Sequence, residues 1–219
     1  DHVSVLVVRS SSDFFSAGAD IAEWAEPSAS RAADMARIGG AAFDALAAAP
    51  MPTIAVLDGV AAGGGLELAL ACDLRIASTR IKIGLPEAAL GNVPAYGGMP
   101  RLVEAVGVSR AQELLFTAEL IDGRRAAEIG LVNWAVDHQS LAAEADRVIG
   151  MIAAADPHAV SLAKALVGGG RIDGPLSMFT SQSAESRRRK AAFLSRRQTP
   201  ATPAVSTTIE TNTRIGDPE

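Results

Sequence analysis

The chain has 219 residues, enough for one sizeable domain, and 48% of them are hydrophobic, enough to bury a substantial core. A formal charge of −5 gives no basic footprint for nucleic acid, and a single cysteine, Cys72, excludes an intrachain disulfide. No apolar run reaches the roughly 18 to 20 residues of a membrane-spanning helix, and the first residues lack the order of a signal peptide, so the composition points to the reducing cytoplasm.

Asp1 stands where an initiator Met is expected and a strand begins almost at once, so residues upstream are expected to be missing or removed. That strand, Val3 to Val8, is short and β-branched and reads as buried on both faces. Ala29 to Ala49 carries Met35, Ile38, Phe43 and Leu46 at helical spacing, and Pro50 and Pro52 stop it. Thr53 to Leu57 predicts a second buried strand, turned by Asp58-Gly59. Gly63-Gly64-Gly65 opens a helix to about Cys72, followed by strands at Leu74 to Ala77 and Ile81 to Ile83. Strands alternating with helices predict an α/β domain with largely parallel strands and right-handed crossovers. From Ser109 the pattern is helical: Arg110 to Phe116, Gly123 to Ile129, Leu141 to Ala154, Pro157 to Val167 and about Pro175 to Leu194. Beyond Gln198 large apolar residues almost vanish, which predicts a disordered tail. The expected division is an α/β core over 1–108, a helical region of the same domain over 109–198, and the tail over 199–219.

There is no Gly-x-Ser-x-Gly elbow, and His2, His138 and His158 are not spaced as metal ligands, which points away from hydrolase triads and zinc sites. Each histidine reads as a surface residue, and the lone thiol as packing. The glycines at 63 to 65 follow a strand and enter a helix, so their amides form an anion cradle. The Lys-Ser/Thr ending of a phosphate loop is missing, so a transient oxyanion fits better than a nucleotide, with close packing of helix on strand as the other explanation. Glu67 in the first helical turn, and Glu87 after Pro86 at a second helix start, each suit a helix dipole. Two carboxyls in different surroundings also suit water addition and proton delivery.

Ser16-Ala17-Gly18-Ala19-Asp20-Ile21, then Ala62 to Ala69 with Ala71-Cys72-Asp73-Leu74-Arg75-Ile76-Ala77, then Gly84-Leu85-Pro86-Glu87, Leu90-Gly91 and Gly97-Gly98, resemble the crotonase (enoyl-CoA hydratase/isomerase) superfamily in order and spacing. Leu114 to Thr117 and Ala126 to Asn133 are similar to its helical half, so the resemblance covers about nine-tenths of the chain. It is closest in motif to enoyl-CoA hydratase.

The resemblance implies an α/β spiral of ββα units with a helical C-terminal region. It implies oxyanion-hole amides at Ala19 and Gly64, holding the thioester carbonyl of an acyl-CoA substrate. Glu67 would orient and deprotonate water, Glu87 would protonate the α-carbon, and Ala17, Gly18, Asp20, Ile21 and Gly63 would line the substrate. No metal or separate cofactor is implied; the assembly would be a homotrimer or a dimer of trimers. Three departures stand out. The strand, loop and helix that usually precede the strand beginning at Val3 are lacking. Ala22 replaces a common lysine for the CoA phosphates. Arg187-Arg188-Arg189-Lys190 replaces a more acidic run, and is either a solvated face or a phosphate contact. Retaining both acids favours a hydratase. The alternatives are an isomerase, another acyl-CoA enzyme of this type, or a truncated, inactive acyl-CoA-binding protein.

Overall fold

The computed structural model describes residues 3–20, 28–167 and 180–198. Strand β1 (Leu6–Arg9) is followed by helix α1 (Ala29–Ala47), strands β2 (Thr53–Leu57) and β3 (Val60–Ala62), and the short helix α2 (Gly64–Leu70). Next come β4 (Leu74–Ser78), β5 (Lys82–Gly84) and a 3-10 helix, Pro86–Leu90, then the long helix α3 (Gly98–Thr117) and α4 (Gly123–Glu128). Strand β6 (Trp134–Val136) leads to α5 (Leu141–Ala154) and α6 (Pro157–Val167).

Four strands form one parallel sheet in the order β1-β2-β4-β6, and β3 and β5 form a second, two-stranded parallel sheet. The chain alternates between them: a turn at Asp58-Gly59 carries β2 into β3, and a turn after Ser78 carries β4 into β5. Isolated bridges Ser16 to Ala61 and Ile83 to Ile121 widen the small sheet on both sides. This is the expected ββα spiral.

Side chains alternate across a strand, so β2 and β4 feed two cores. Ile54, Val56, Leu74 and Ile76 pack on Leu141, Ala145 and Val148 of α5. Ala55, Leu57 and Ala77 face the other way, onto Leu66, Ala69 and Leu102 of α2 and α3. Cys72 belongs to this second core, where burial pushes its thiol up to about 11, so it packs as a small apolar group. Among the described residues buried Arg75 forms no carboxylate ion pair; its Nε donates to Leu131 O (2.7 Å) and its Nη1 to Cys72 O (2.8 Å), beyond the C-terminal end of α2. A cation there suits the helix dipole.

Three expectations are corrected. The first strand spans Leu6–Arg9 and is not buried on both faces: it is outermost in its sheet, and Leu6 is 38% exposed. The helix expected from Arg110 is the second half of α3, which begins at Gly98 and kinks where Gly107 takes φ 77° and ψ 163°. Strands β3 and β6, three residues each, were not expected at all.

The chain divides between residues 173 and 174 into two units. In the second, α7 (Ala184–Gln198) holds the basic run on an exposed face. Glu185 pairs with Arg188 and Arg189, and Lys190 donates to Ser181 O (3.1 Å). Ile21, Ala22 and the expected tail over 199–219 lie outside the described residues.

Candidate active site

The site grows from the step between the small sheet and α2. Gly63 takes φ 54°, a left-handed value that glycine adopts without strain, and so turns β3 into the helix. The neighbouring glycines serve different ends. A Cβ on Gly65 would collide with the Ser16 carbonyl, so this glycine is there for packing. Gly64 instead faces a cavity of about 390 Å³. The loop through Ala17, Gly18 and Ala19 is pressed onto this helix start: a Cβ on Gly18 would lie 2.9 Å from Gly64 N and from Ala62 O. Ala19 and Gly64 both line the cavity, and among the described residues neither amide donates a hydrogen bond. Two free donors at a helix N-terminus are suited to developing negative charge on an oxygen.

Glu67 enters the same cavity from the first turn of α2 and is 1% exposed. It does not serve its own helix. Its Oε1 accepts the Tyr96 and Gly98 amides, both at 2.8 Å, and so caps the start of α3. The approach is tight: a Cβ on Gly98 would lie 2.8 Å from that oxygen. Oε2 receives no hydrogen bond among the described residues, which leaves it available to a water molecule.

Glu87 comes from the 3-10 helix, whose first residue is Pro86, and lies on the far side of the glycine turn. A Cβ on Gly63 would be 3.1 Å from its Oε1, while its Oε2 is buried without a partner among the described residues. Burial, followed by the charge of Glu67, pushes the Glu87 carboxyl above its ordinary value; its own backbone N–H opposes the shift. One carboxyl is thus oriented by two donors, and the other is biased towards holding its proton.

Of the other expected site residues, Ala17 and Gly63 line the cavity, and Gly18 packs behind it. Asp20 is exposed and is not among the residues lining it. Sequence reasoning missed Tyr96 and Gly98 as the partners of Glu67, together with the apolar walls Leu90 and Val93. The Gly97-Gly98 pair was the available signal, because consecutive glycines before a helix mark a close approach.

A family model for enoyl-CoA hydratase/isomerase matches residues 1–173. The chain belongs to the enoyl-CoA hydratase/isomerase family. It is 42% identical over 164 residues to crotonyl-CoA hydratase of Syntrophomonas wolfei, a match covering 74% of this chain and 63% of that protein. Among solved structures it resembles DspI of Pseudomonas aeruginosa (TM-score 0.82, 36% identity, 90% of this chain and 79% of that one). It also resembles an enoyl-CoA hydratase of Bacillus anthracis (TM-score 0.80, 31% identity, 88% and 78% covered). The chain spans less than two thirds of the length of the S. wolfei relative.

This family member carries a second polar cluster where β2, β4 and β6 end. Asp58 Oδ1 accepts from Ser78 Oγ (2.5 Å), the Gly59 amide (2.9 Å) and Arg80 Nε (3.1 Å). Its Oδ2 takes Arg80 Nη2 (3.0 Å) and lies 2.5 Å from His138 Nδ1. His138 is thus half exposed but paired, which refines its expected status as a plain surface residue. Burial raises the Asp58 carboxyl, but the Arg80, Ser78 and Gly59 hydrogen bonds and the His138 charge outweigh it and hold the group well below the usual carboxylate range. Among the described residues, no cluster of His, Cys, Asp and Glu is arranged to hold a metal, and no helix is long and apolar enough to cross a membrane.

Proposed function

We propose that the protein adds water across the 2,3 double bond of a 2-enoyl-CoA thioester. The observation that carries this reading is the meeting of Glu67 and Glu87 in one cavity with the unpartnered amides of Ala19 and Gly64. The similarity to a crotonyl-CoA hydratase supports the substrate class.

In this reading the thioester carbonyl oxygen accepts both amides, which draws electrons from the double bond. Glu67 Oε2 takes a proton from water, whose oxygen bonds to the β-carbon. The electron pair moves to the carbonyl oxygen as an enolate, stabilised by the two donors. Glu87 gives its proton to the α-carbon as the enolate collapses, and exchange with solvent resets both carboxyls. The raised Glu87 carboxyl suits the donor and the oriented Glu67 suits the base. The chemistry uses groups of the chain itself and calls for no metal or separate cofactor.

Loss of the conjugated thioester absorbance on mixing with crotonyl-CoA tests the reading. Glu67→Gln and Glu87→Gln should each lower the rate by about 10² to 10⁴ while acyl-CoA still binds. An isomerase would keep its turnover in Glu67→Gln and lose it in Glu87→Gln. Full hydration by both variants would remove the acid/base assignment.

The reading extends to a cytoplasmic homotrimer or dimer of trimers. Exposed Val108 and Phe116, 59% and 76% accessible on α3, support burial in an assembly. Sedimentation should show a species about three or six times the chain mass. A monomer at micromolar concentration would count against it.

A further inference from the structure

Resting on the acyl-CoA reading of this cavity, we infer that Tyr96 is the wall that sets how large an acyl group the site admits, and that α1 holds it in place through a notch at Gly39.

Glycine in a helix interior weakens the helix, so its presence calls for a reason. Helix α1 contains two in succession. A Cβ on Gly40 would meet nothing within 4 Å, whereas one on Gly39 would lie 2.5 Å from Tyr96 Cε1. The notch therefore receives the tyrosine ring. Its opposite edge lies against Gly64: a Cβ there would be 3.2 Å from Tyr96 Cε2. One turn along α1, Phe43 meets the ring edge to face, with centroids 5.5 Å apart and planes at 80°.

The backbone of Tyr96 is clamped as well. Its amide donates to Glu67 Oε1 (2.8 Å), and its carbonyl accepts Arg101 Nη1 (3.2 Å). Arg101 Nη2 in turn reaches Asp44 Oδ1 (2.5 Å), again on α1. Two other large apolar walls, Leu90 and Val93, are 68% and 61% exposed. Tyr96 is thus a large, fixed apolar surface beside both Gly64 and Glu67, where the acyl chain must pass beyond the reacting carbons. It is a specificity-determining residue, and Gly39 is the position that fixes its depth.

Calorimetric titration with butanoyl-CoA and decanoyl-CoA, saturated thioesters that are not hydrated, tests this without turnover. Tyr96→Ala, or the milder Tyr96→Leu, should tighten decanoyl-CoA relative to butanoyl-CoA by about tenfold or more, the scale of apolar size discrimination in a pocket. Tyr96→Phe should keep the original ratio. Gly39→Ala should press the ring inward and weaken decanoyl-CoA more than butanoyl-CoA, and this effect should vanish when Tyr96→Ala is also present. An unchanged ratio in both Tyr96→Ala and Tyr96→Leu overturns the inference. So does a Gly39→Ala effect that persists undiminished in the double variant. If neither thioester binds the unaltered protein, the inference and the acyl-CoA reading both fall. A shifted ratio in a protein that hydrates nothing supports the inference and sinks hydration alone; normal hydration with an unchanged ratio sinks the inference alone.

Discussion

Asp58 and Glu87 are both partly buried carboxyls placed just after a strand of the spiral, yet the fold treats them in opposite ways. Asp58 is supplied with donors on both oxygens, from Ser78, Gly59, Arg80 and His138, and its carboxyl is held low. Glu87 is left with a buried oxygen that no described residue satisfies, and its carboxyl is raised, first by burial. Because an unmet buried polar group costs free energy, the fold bears a cost at Glu87 that it avoids at Asp58. On the proposed mechanism, the contrast separates a structural acid from a chemical one without reference to any motif.

Breaking the saturated side should have the larger effect on stability. Asp58→Asn removes the charge that holds Arg80 and His138 and disturbs the acceptor of the fully buried Ser78 hydroxyl. The Ser78 hydrogen bond alone is worth about 1 to 3 kcal/mol if it is left unmet, so urea unfolding near pH 7 should show a loss of that size. Asp58 has a depressed folded value, so its stabilisation is present above the unfolded carboxyl range and is lost as pH falls towards the folded one. The gap between variant and parent should therefore narrow below about pH 4. A gap that widens in acid would reverse the assignment.

The unsaturated side should respond weakly and with the opposite sign. A raised folded value means that the native state of Glu87 holds its proton longer than the unfolded chain does. Below the ordinary glutamate value near 4.3 both states are protonated and there is no penalty; the cost of ionising it appears as pH rises through the folded value. Glu87→Gln should thus unfold at slightly higher urea than the parent at pH 7 and equally at pH 4. A destabilised Glu87→Gln at pH 7 would mean that the carboxylate is structurally supported after all.

How much of this was legible in the chain depended on distance along it. Thr53–Leu57, Leu141–Ala154 and Pro157–Val167 match the expected ranges because each signal is local: a β-branched run before Asp58-Gly59, or helical periodicity bounded by Pro157. Strands β3 and β6 were invisible because three residues carry no period; their conformation comes from pairing Val60 with Lys82 and Trp134 with Ile76. Glu67 and Glu87 could be singled out by type and position, but their surroundings could not. The amides that orient Glu67 come 29 and 31 residues later, and the His138 that meets Asp58 comes 80 residues later. Residue type and position singled out the two carboxyls, while what surrounds them is written in contacts between distant parts of the chain.

The hold of Glu67 on the start of α3 also bears on how such a site can drift over generations. Among the described residues the buried oxygen of Glu87 supports nothing, so on the proposed mechanism a lineage that discards it gives up a proton donor and keeps the scaffold. In the proposed mechanism Glu67 is a reagent, and in the structure it is a fastening: replacing it with a side chain that cannot accept would also release the Tyr96 and Gly98 amides. Of the two acids, the second can be exchanged for new chemistry by a single substitution. The first can be abandoned without loosening the helix start only for a side chain that still accepts both amides, as glutamine does.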